Sequence, residues 1–253
     1  MARNPIRINE IIKDMRIRIT RGDYGTRGKI PSRLRLAKEI YHVSADTINK
    51  AVMHLQAEGF VLENGTSNIA NPHNMRIPGV VSSFDEFIRQ QGMEPYMFNV
   101  GEPGIVSLSD EYAEAFNLPI GTRAIRRLRV QGGKREDMII PLRIAETFYL
   151  YDLVHELGGN QWIEQIQKDP MFNVIKEIKK KTGKEVTEAE SDLWARFPDE
   201  TEQELLSITY QTQVIEHWRK CYDSPKEEML IMFNRIILKA NTFKFKFKYS
   251  IKL

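Results

Sequence analysis

The sequence has little of what staples a small secreted scaffold and little of what marks an enzyme. Cysteine occurs once in 253 residues, at Cys221, which excludes a disulfide framework and suits a reducing cytoplasm. No apolar run approaches the roughly twenty residues that a membrane span requires, so no membrane contact is expected. The opening MARNPIRINE has no apolar stretch behind its charges and does not read as a secretion signal. Also missing are a G-x-G-x-x-G loop, a Walker loop, an H-E-x-x-H helix and paired C-x-x-C motifs. The five histidines are scattered. His217 and Cys221 are four apart and would face each other only on a helix, whereas Val214 to Trp218 reads as well as strand. No catalytic residue, metal ligand or cofactor is therefore expected.

What is present is ordinary for a globular chain, with 42% hydrophobic and 28% charged residues and enough length for two cores. The net charge of +3 is unevenly placed. Residues 1–76 hold 13 Lys and Arg against 7 Asp and Glu, and residues 77–253 hold 24 against 27. A basic head on a mildly acidic remainder is the distribution expected if only the head meets phosphates.

That head contains the most informative stretch, KIPSRLRLAKEIYHVSADTINKAVMHLQAEGFVLENGTSN from Lys29 to Asn68. Before it, Asn4 as cap and Pro5 at the first helical position predict a helix to about Thr20, with Ile8, Ile11, Ile12, Met15 and Ile19 buried. Ser32 predicts a second helix start ahead of Arg33 and Arg35. Ser44 predicts a third, along which Ile48, Ala51, Val52 and Leu55 recur at helical spacing. The other side of that helix shows Asp46, Thr47, Asn49 and Lys50, with His42 and His54 nearby. Gly59 ends it, Phe60-Val61-Leu62 is a short strand, and Asn64-Gly65 predicts a two-residue hairpin turn. Helix, turn, helix and hairpin is the plan of a winged helix-turn-helix, whose second motif helix enters the major groove.

The segment IPSRLRLAKEIYHVSADTINKAVMHLQAEGFV resembles the DNA-binding domain of the GntR family of bacterial transcription regulators. It departs from the family pattern in carrying one extra residue in the turn Ile40 to Val43. Ala45 and Asn49 stand where arginines are common, and the hairpin Glu63 to Ile69 lacks a basic tip. Downstream, SSFDEFIRQQGMEP resembles the start of the effector-binding UTRA domain of HutC-type members. DEYAEAFNLPIGTRAIRRLRV and PDETEQELLSI resemble later parts of it. The resemblance implies an α+β chain with three parts. Residues 1–70 form a winged helix-turn-helix, 71–81 a linker, and 82–253 a chorismate-lyase-like antiparallel sheet domain with packed helices. It also implies a homodimer on a double-stranded DNA operator, touched by Ser32, Arg33, Arg35, Ser44, Thr47, Asn49 and Lys50.

In the second half, alternation places Ile125, Arg127, Arg129 and Gln131 on one face of a strand over 123–131. Further strands are predicted over 138–144, 208–214 and 229–238, and a helix from Asp169-Pro170 to Gly183. Asp199 with Glu202 predicts a capping box. Phe243, Phe245, Phe247, Tyr249, Ile251 and Leu253 alternate with lysines, which suits a sheet edge better than a nucleic-acid groove. Arg127 and Arg129 supply two guanidinium forks suited to a phosphate or carboxylate. The resemblance assigns the same pair, with backbone amides at Ser83 and Phe84, to a small anionic effector. Phe172 and Phe243 fall where sugar-binding members tend to have tyrosines, and Pro141 near a usual glutamate. The expected ligand is therefore an anion with a body less hydroxylated than a hexosamine phosphate, or else the pocket has lost its ligand. The competing function is an enzyme acting on a small carboxylate, since UTRA is similar in fold to chorismate lyase. The regulator reading prevails because the first seventy residues are given to DNA recognition.

Overall fold

A computed structural model describes residues 8–71, 84–223, 230–243 and 245. The head opens with α1 (Ile8–Arg21), which buries Ile11, Ile12, Met15 and Ile19 as the spacing predicts. The start predicted at Asn4-Pro5 lies outside the described residues. A two-residue strand not foreseen from sequence, β1 (Lys29–Ile30), leads to the short helix α2 (Arg33–Arg35). This helix runs on into a π-helical turn, Leu36–Tyr41. The π turn is where the extra residue goes. Widening one turn absorbs a single insertion without moving the ends of the helix. His42 closes it with a left-handed backbone (φ 53°), its N–H bonding to the Ala37 carbonyl. Asp14 on α1 accepts from Tyr41 (2.7 Å) and pins the turn.

Next comes α3 (Ala45–Ala57), capped by Ser44 and burying Ile48, Ala51, Val52 and Leu55. Strands β2 (Val61–Asn64) and β3 (Ser67–Ala70) form the wing, and β3 also pairs with β1. Asn64 still pairs with Ser67, so the two-residue loop is Gly65-Thr66, one place later than predicted. Gly65, at φ 60°, supplies the positive φ that so tight a loop needs.

The body contains α4 (Phe84–Gln90), β4 (Glu94–Asn99), β5 (Gly104–Ser107) and α5 (Asp110–Ala115). Two long strands follow, β6 (Arg123–Arg135) and β7 (Met138–Leu150), both longer than predicted. Then come α6 (Tyr151–His155), α7 (Gly159–Lys168), α8 (Val174–Thr182) and β8 (Glu188–Arg196). Last are α9 (Glu200–Leu206), β9 (Val214–Tyr222) and β10 (Leu230–Lys239). The strands make one antiparallel sheet in the order β4-β6-β7-β10-β9-β8, with β5 also on β6. The fold is α+β, a winged helix-turn-helix followed by an antiparallel sheet with helices against it.

Some expectations need correcting. The helix expected from Asp169-Pro170 begins at Val174, because Asn173 makes the cap (Lys176 N, 3.1 Å). Asp169 instead closes the preceding turn by accepting from Met171 N (2.8 Å). Residues 208–213 are loop rather than strand. The capping box at Asp199 and Glu202 forms as predicted. His217 and Cys221 lie on strand β9, about 13 Å apart along the chain at strand rise, and make no dyad. Of the predicted strand over 243–253, only Phe243 and Phe245 are among the described residues.

Head and body share a core. Leu62 and Ile69 of the wing are buried with Phe84, Phe87, Ile88, Met93, Ile140 and Leu142. The polar contacts around them explain why 208–213 is not strand: its groups face the wing instead. Gly65 N donates to Ser207 O (2.7 Å), and the Glu63 carboxylate accepts from Thr209 N (3.3 Å) and the Thr212 hydroxyl. Lys239, 1% exposed, donates to the Glu63 carbonyl (2.9 Å). Burial pushes this lysine down to about 7. On the other side Arg135 reaches the Ala70 carbonyl (2.8 Å) and Arg27 pairs with Glu136 (2.7 Å).

Candidate functional site

Two surfaces carry the residues singled out in the sequence. The first is the outer side of α2 and α3. Ser32 Oγ accepts from Arg35 N (3.3 Å) and Ser44 Oγ from Thr47 N (3.1 Å), so both serines are helix caps. The Thr47 hydroxyl meets that of Ser44 at 2.8 Å. Arg35 and Lys50 are exposed, and each lies against a carboxylate one helical turn away, Glu39 (2.9 Å) and Asp46 (2.8 Å). Such exposed pairs are weak, on the order of 0.3–0.5 kcal/mol, so a phosphate can displace either carboxylate. Arg33 and Asn49 are half-buried, at the start of α2 and on the second turn of α3. All seven candidate residues therefore sit in or beside the first turns of two packed helices. The wing tip is different. Glu63, Asn64 and Gly65 are turned onto the body, with Asn64 Nδ2 on the Ile139 carbonyl (3.1 Å).

The second surface is one face of the body's sheet. The alternation predicted for β6 places Arg127, Arg129 and Gln131 together. The register then adds Arg143, whose strand pairs it opposite Gln131, and Thr147 opposite Arg127. Asn234 on β10 lies opposite Thr147, and Arg219 on β9 lies opposite Asn234. Four arginines thus line one face. Near Gly132 the two strands come so close that a Cβ there would meet the Ile140 carbonyl at 2.1 Å, beside the buried Pro141.

The arginines do not all present open forks. Arg127 donates Nη1 to the Phe172 carbonyl (2.7 Å) and Nη2 to that of Pro170. Arg129 donates Nη1 to Pro170 O (3.2 Å). Much of the predicted clamp is therefore engaged in tying the loop before α8 to the sheet. Arg143 lies over the Phe84 ring (3.8 Å to the centroid) and donates Nε to Gln131 Oε1 (2.7 Å). The Nε groups of Arg127, Arg129 and Arg219 are buried without a partner.

Charge on this face is unbalanced. Burial, then Arg219 and Arg129, pushes Arg143 down to about 9. Burial, then Arg129, brings Arg127 to about 10, and burial lowers Arg129 as well. Arg127 and Arg143 remain cationic at neutral pH. Burial, then Arg219 and Arg143, pushes His217 down to about 4, so it is neutral there, 3.0 Å from the Ser191 hydroxyl. Asp85 and Asp169 are the carboxylates that act on these arginines, from a distance.

Phe84 belongs to the site through its ring under Arg143, whereas Ser83 lies outside the described residues. Phe172 offers its carbonyl to Arg127 while its half-buried ring packs with the α6–α8 cluster. Phe243 packs against the cluster that holds Phe84. Sequence reading missed Arg143 and Arg219. Both stand at alternating positions of a strand, but only the order of strands shows that they join Arg129. Among the described residues no group of three side chains suits a metal ion, and no helix is long and apolar enough to cross a membrane.

Comparison of the sequence with family models and with curated proteins finds no match. Solved structures do match. PhnF from Mycobacterium smegmatis aligns over 94% of this chain and 99% of its own, with a TM-score of 0.59 and 18% identity. Its effector domain alone covers 70% of this chain and 100% of itself (TM-score 0.54, 17% identity). YydK from Bacillus subtilis, a possible transcriptional regulator, aligns over 97% of this chain and 100% of its own (TM-score 0.52, 14% identity). At these identities the likeness is one of fold, and it extends over head and body together.

Proposed function

We propose that the chain is a GntR-type, HutC-class transcription regulator. It works in the cytoplasm as a homodimeric repressor whose hold on a DNA operator is set by a small anion. Residues 1–70 read the operator, 71–81 join the parts, and 82–253 receive the effector and dimerise. The observation that carries this reading is one chain holding both a helix-turn-helix head and a body with one buried arginine and three half-buried ones on a single face, none of them bonded to a carboxylate among the described residues. Cations buried without counter-charges are costly, and an anion seated among them removes that cost. That PhnF, which shares the fold, has an effector domain over the same part of the chain supports the assignment of the body.

On DNA, the Ser32 and Ser44 helix starts meet backbone phosphates, and Arg33, Arg35, Thr47, Asn49 and Lys50 lie along the groove. Asn49 suits an adenine edge. The wing, seated on the body through Glu63 to Gly65, adds little to the reading. In the body, Arg129, Arg143 and Arg219 supply the free donors, while Arg127 holds the loop that closes the site. Phe84, Phe172 and Phe243 give the ligand's surroundings an apolar character.

Selection from random-sequence duplex DNA tests the first half. A two-fold-related sequence with half-sites about one helical turn apart is expected, and no enrichment would overturn the reading. Thermal-shift screening of phosphorylated and carboxylated metabolites tests the second half. A stabilising anion that also changes operator affinity is expected. A stabilising ligand whose effect survives Arg129→Ala with Arg143→Ala would refute the anion site.

A further inference from the structure

Where the wing meets the body lies a cleft of about 520 Å³ that the anion reading does not use. One wall is the far half of α3, with Met53 and Gln56, and the other is the loop after α9, with Gln211 and Gln213, joined by Phe197 from just before α9 and Asn241 from just after β10. We propose that this cleft is a second ligand site, for an uncharged nucleobase or nucleoside.

The size and the position between two domains suit a small molecule. The lining decides the class. Among the described residues no lysine or arginine lines the cleft, so they offer a phosphate no cation, in a chain whose proposed anion site is built of arginines. Besides Glu63, Thr209 and Thr212, its polar side chains are the primary amides of Gln56, Gln211, Gln213 and Asn241, each carrying a donor and an acceptor in one plane. That paired pattern matches the edge of a base, as Asn and Gln do when they read adenine. Gln56, 8% exposed, is oriented by its bond to Asn68 Oδ1 (3.3 Å). Phe197 is 53% exposed and has one ring face on Tyr210 (centroids 5.4 Å), which leaves the other open to stack on a planar ring. Glu63 holds the floor, with its carboxylate already bonded to Thr209 and Thr212.

Both domains contribute walls, so the cleft exists only while the wing is seated. A ligand in it favours the seated arrangement by its differential affinity for that state. The site would thus adjust the DNA-binding head independently of the anion.

Calorimetry and thermal shift on the full chain, with adenosine, guanosine, cytidine and uridine at millimolar concentration, test the proposal. At least one nucleoside is expected to bind, and its 5′-monophosphate should bind no better. Phe197→Ala with Gln213→Ala should weaken nucleoside binding roughly tenfold or more, as loss of one stacked face and one amide pair predicts. Both side chains are half-exposed or exposed, and an unchanged melting temperature without ligand would show that the variant folds. The same variant should keep any response to anions, which separates this site from the arginine face. No nucleoside binding, binding that survives the double substitution, or tighter binding of the monophosphate would each overturn it.

Discussion

The two faces of the body's sheet handle buried charge in opposite ways. On one, Arg196 and Arg235 share Glu202 and Glu216, with Arg235 2.6 Å from Glu216 and Arg196 2.5 Å from Glu202. Trp218 Nε1 adds a bond to Glu216 (2.7 Å), and Arg126 pairs with Glu146 (2.6 Å). On the other face Arg127, Arg129 and Arg143 meet carbonyls, an amide and an aromatic ring, and no carboxylate among the described residues makes an ion pair with them or with Arg219. The paired face needs nothing from outside and is structural. The unpaired face carries positive charge that no bonded carboxylate among the described residues balances, as the anion reading proposed above requires.

Substitutions can break this contrast. The largest effect is expected from Glu216→Ala, which leaves Arg196 and Arg235 to share Glu202 alone. Removing one member of a buried charge network costs about 3–5 kcal/mol, read as a fall in the denaturant midpoint. Arg143→Leu should do the reverse, raising the stability of the ligand-free protein by about 1–3 kcal/mol, read as a higher denaturant midpoint, while abolishing stabilisation by anions. Should Arg143→Leu destabilise as Glu216→Ala does, the two faces would not differ in kind.

A third test concerns Lys239. Its folded pKa of about 7 lies below the unfolded value of about 10.4, so the unfolded chain binds the extra proton between those limits. Stability should therefore rise as pH increases from about 7 towards 10, and fall back to a constant penalty below 7. Lys239→Met should flatten that rise, as urea titrations across the range would show. On the DNA side the effects are smaller. Asn49→Ala should cost about 1–3 kcal/mol at one base pair if the contact is bidentate, measured against operator variants. Lys50→Ala should weaken all sequences alike and lower the salt slope by about one, with little change in stability because its pair with Asp46 is exposed.

The head was legible because its signals are local. Caps at Ser32 and Ser44, the stripe from Ile48 to Leu55 and the glycine at 65 all act within a few residues. Even the π turn was foreshadowed, as one residue too many between Ile40 and Val43. The arginine face proposed as an anion site was half legible. Alternation put Arg127 and Arg129 on one face, but β7, β10 and β9 become neighbours through long connections, so Arg143 and Arg219 could not be added by parity alone. The carbonyls of Pro170 and Phe172 that occupy Arg127 depend on where a loop folds back, which periodicity does not encode. The seat of the wing was invisible for the same reason, since Lys239 and Glu63 are 176 residues apart.

The core shared by Leu62, Ile69 and the body also bears on how the molecule comes apart. A head that hung on a flexible tether would melt by itself and could be expressed by itself. Here the wing's inner side chains are completed by α4 and β7, so cutting the chain after Ala70 would leave two large aliphatic residues bare. The wing amides should exchange hydrogen with solvent no faster than the middle strands of the sheet, and the whole chain should lose its structure in one cooperative step.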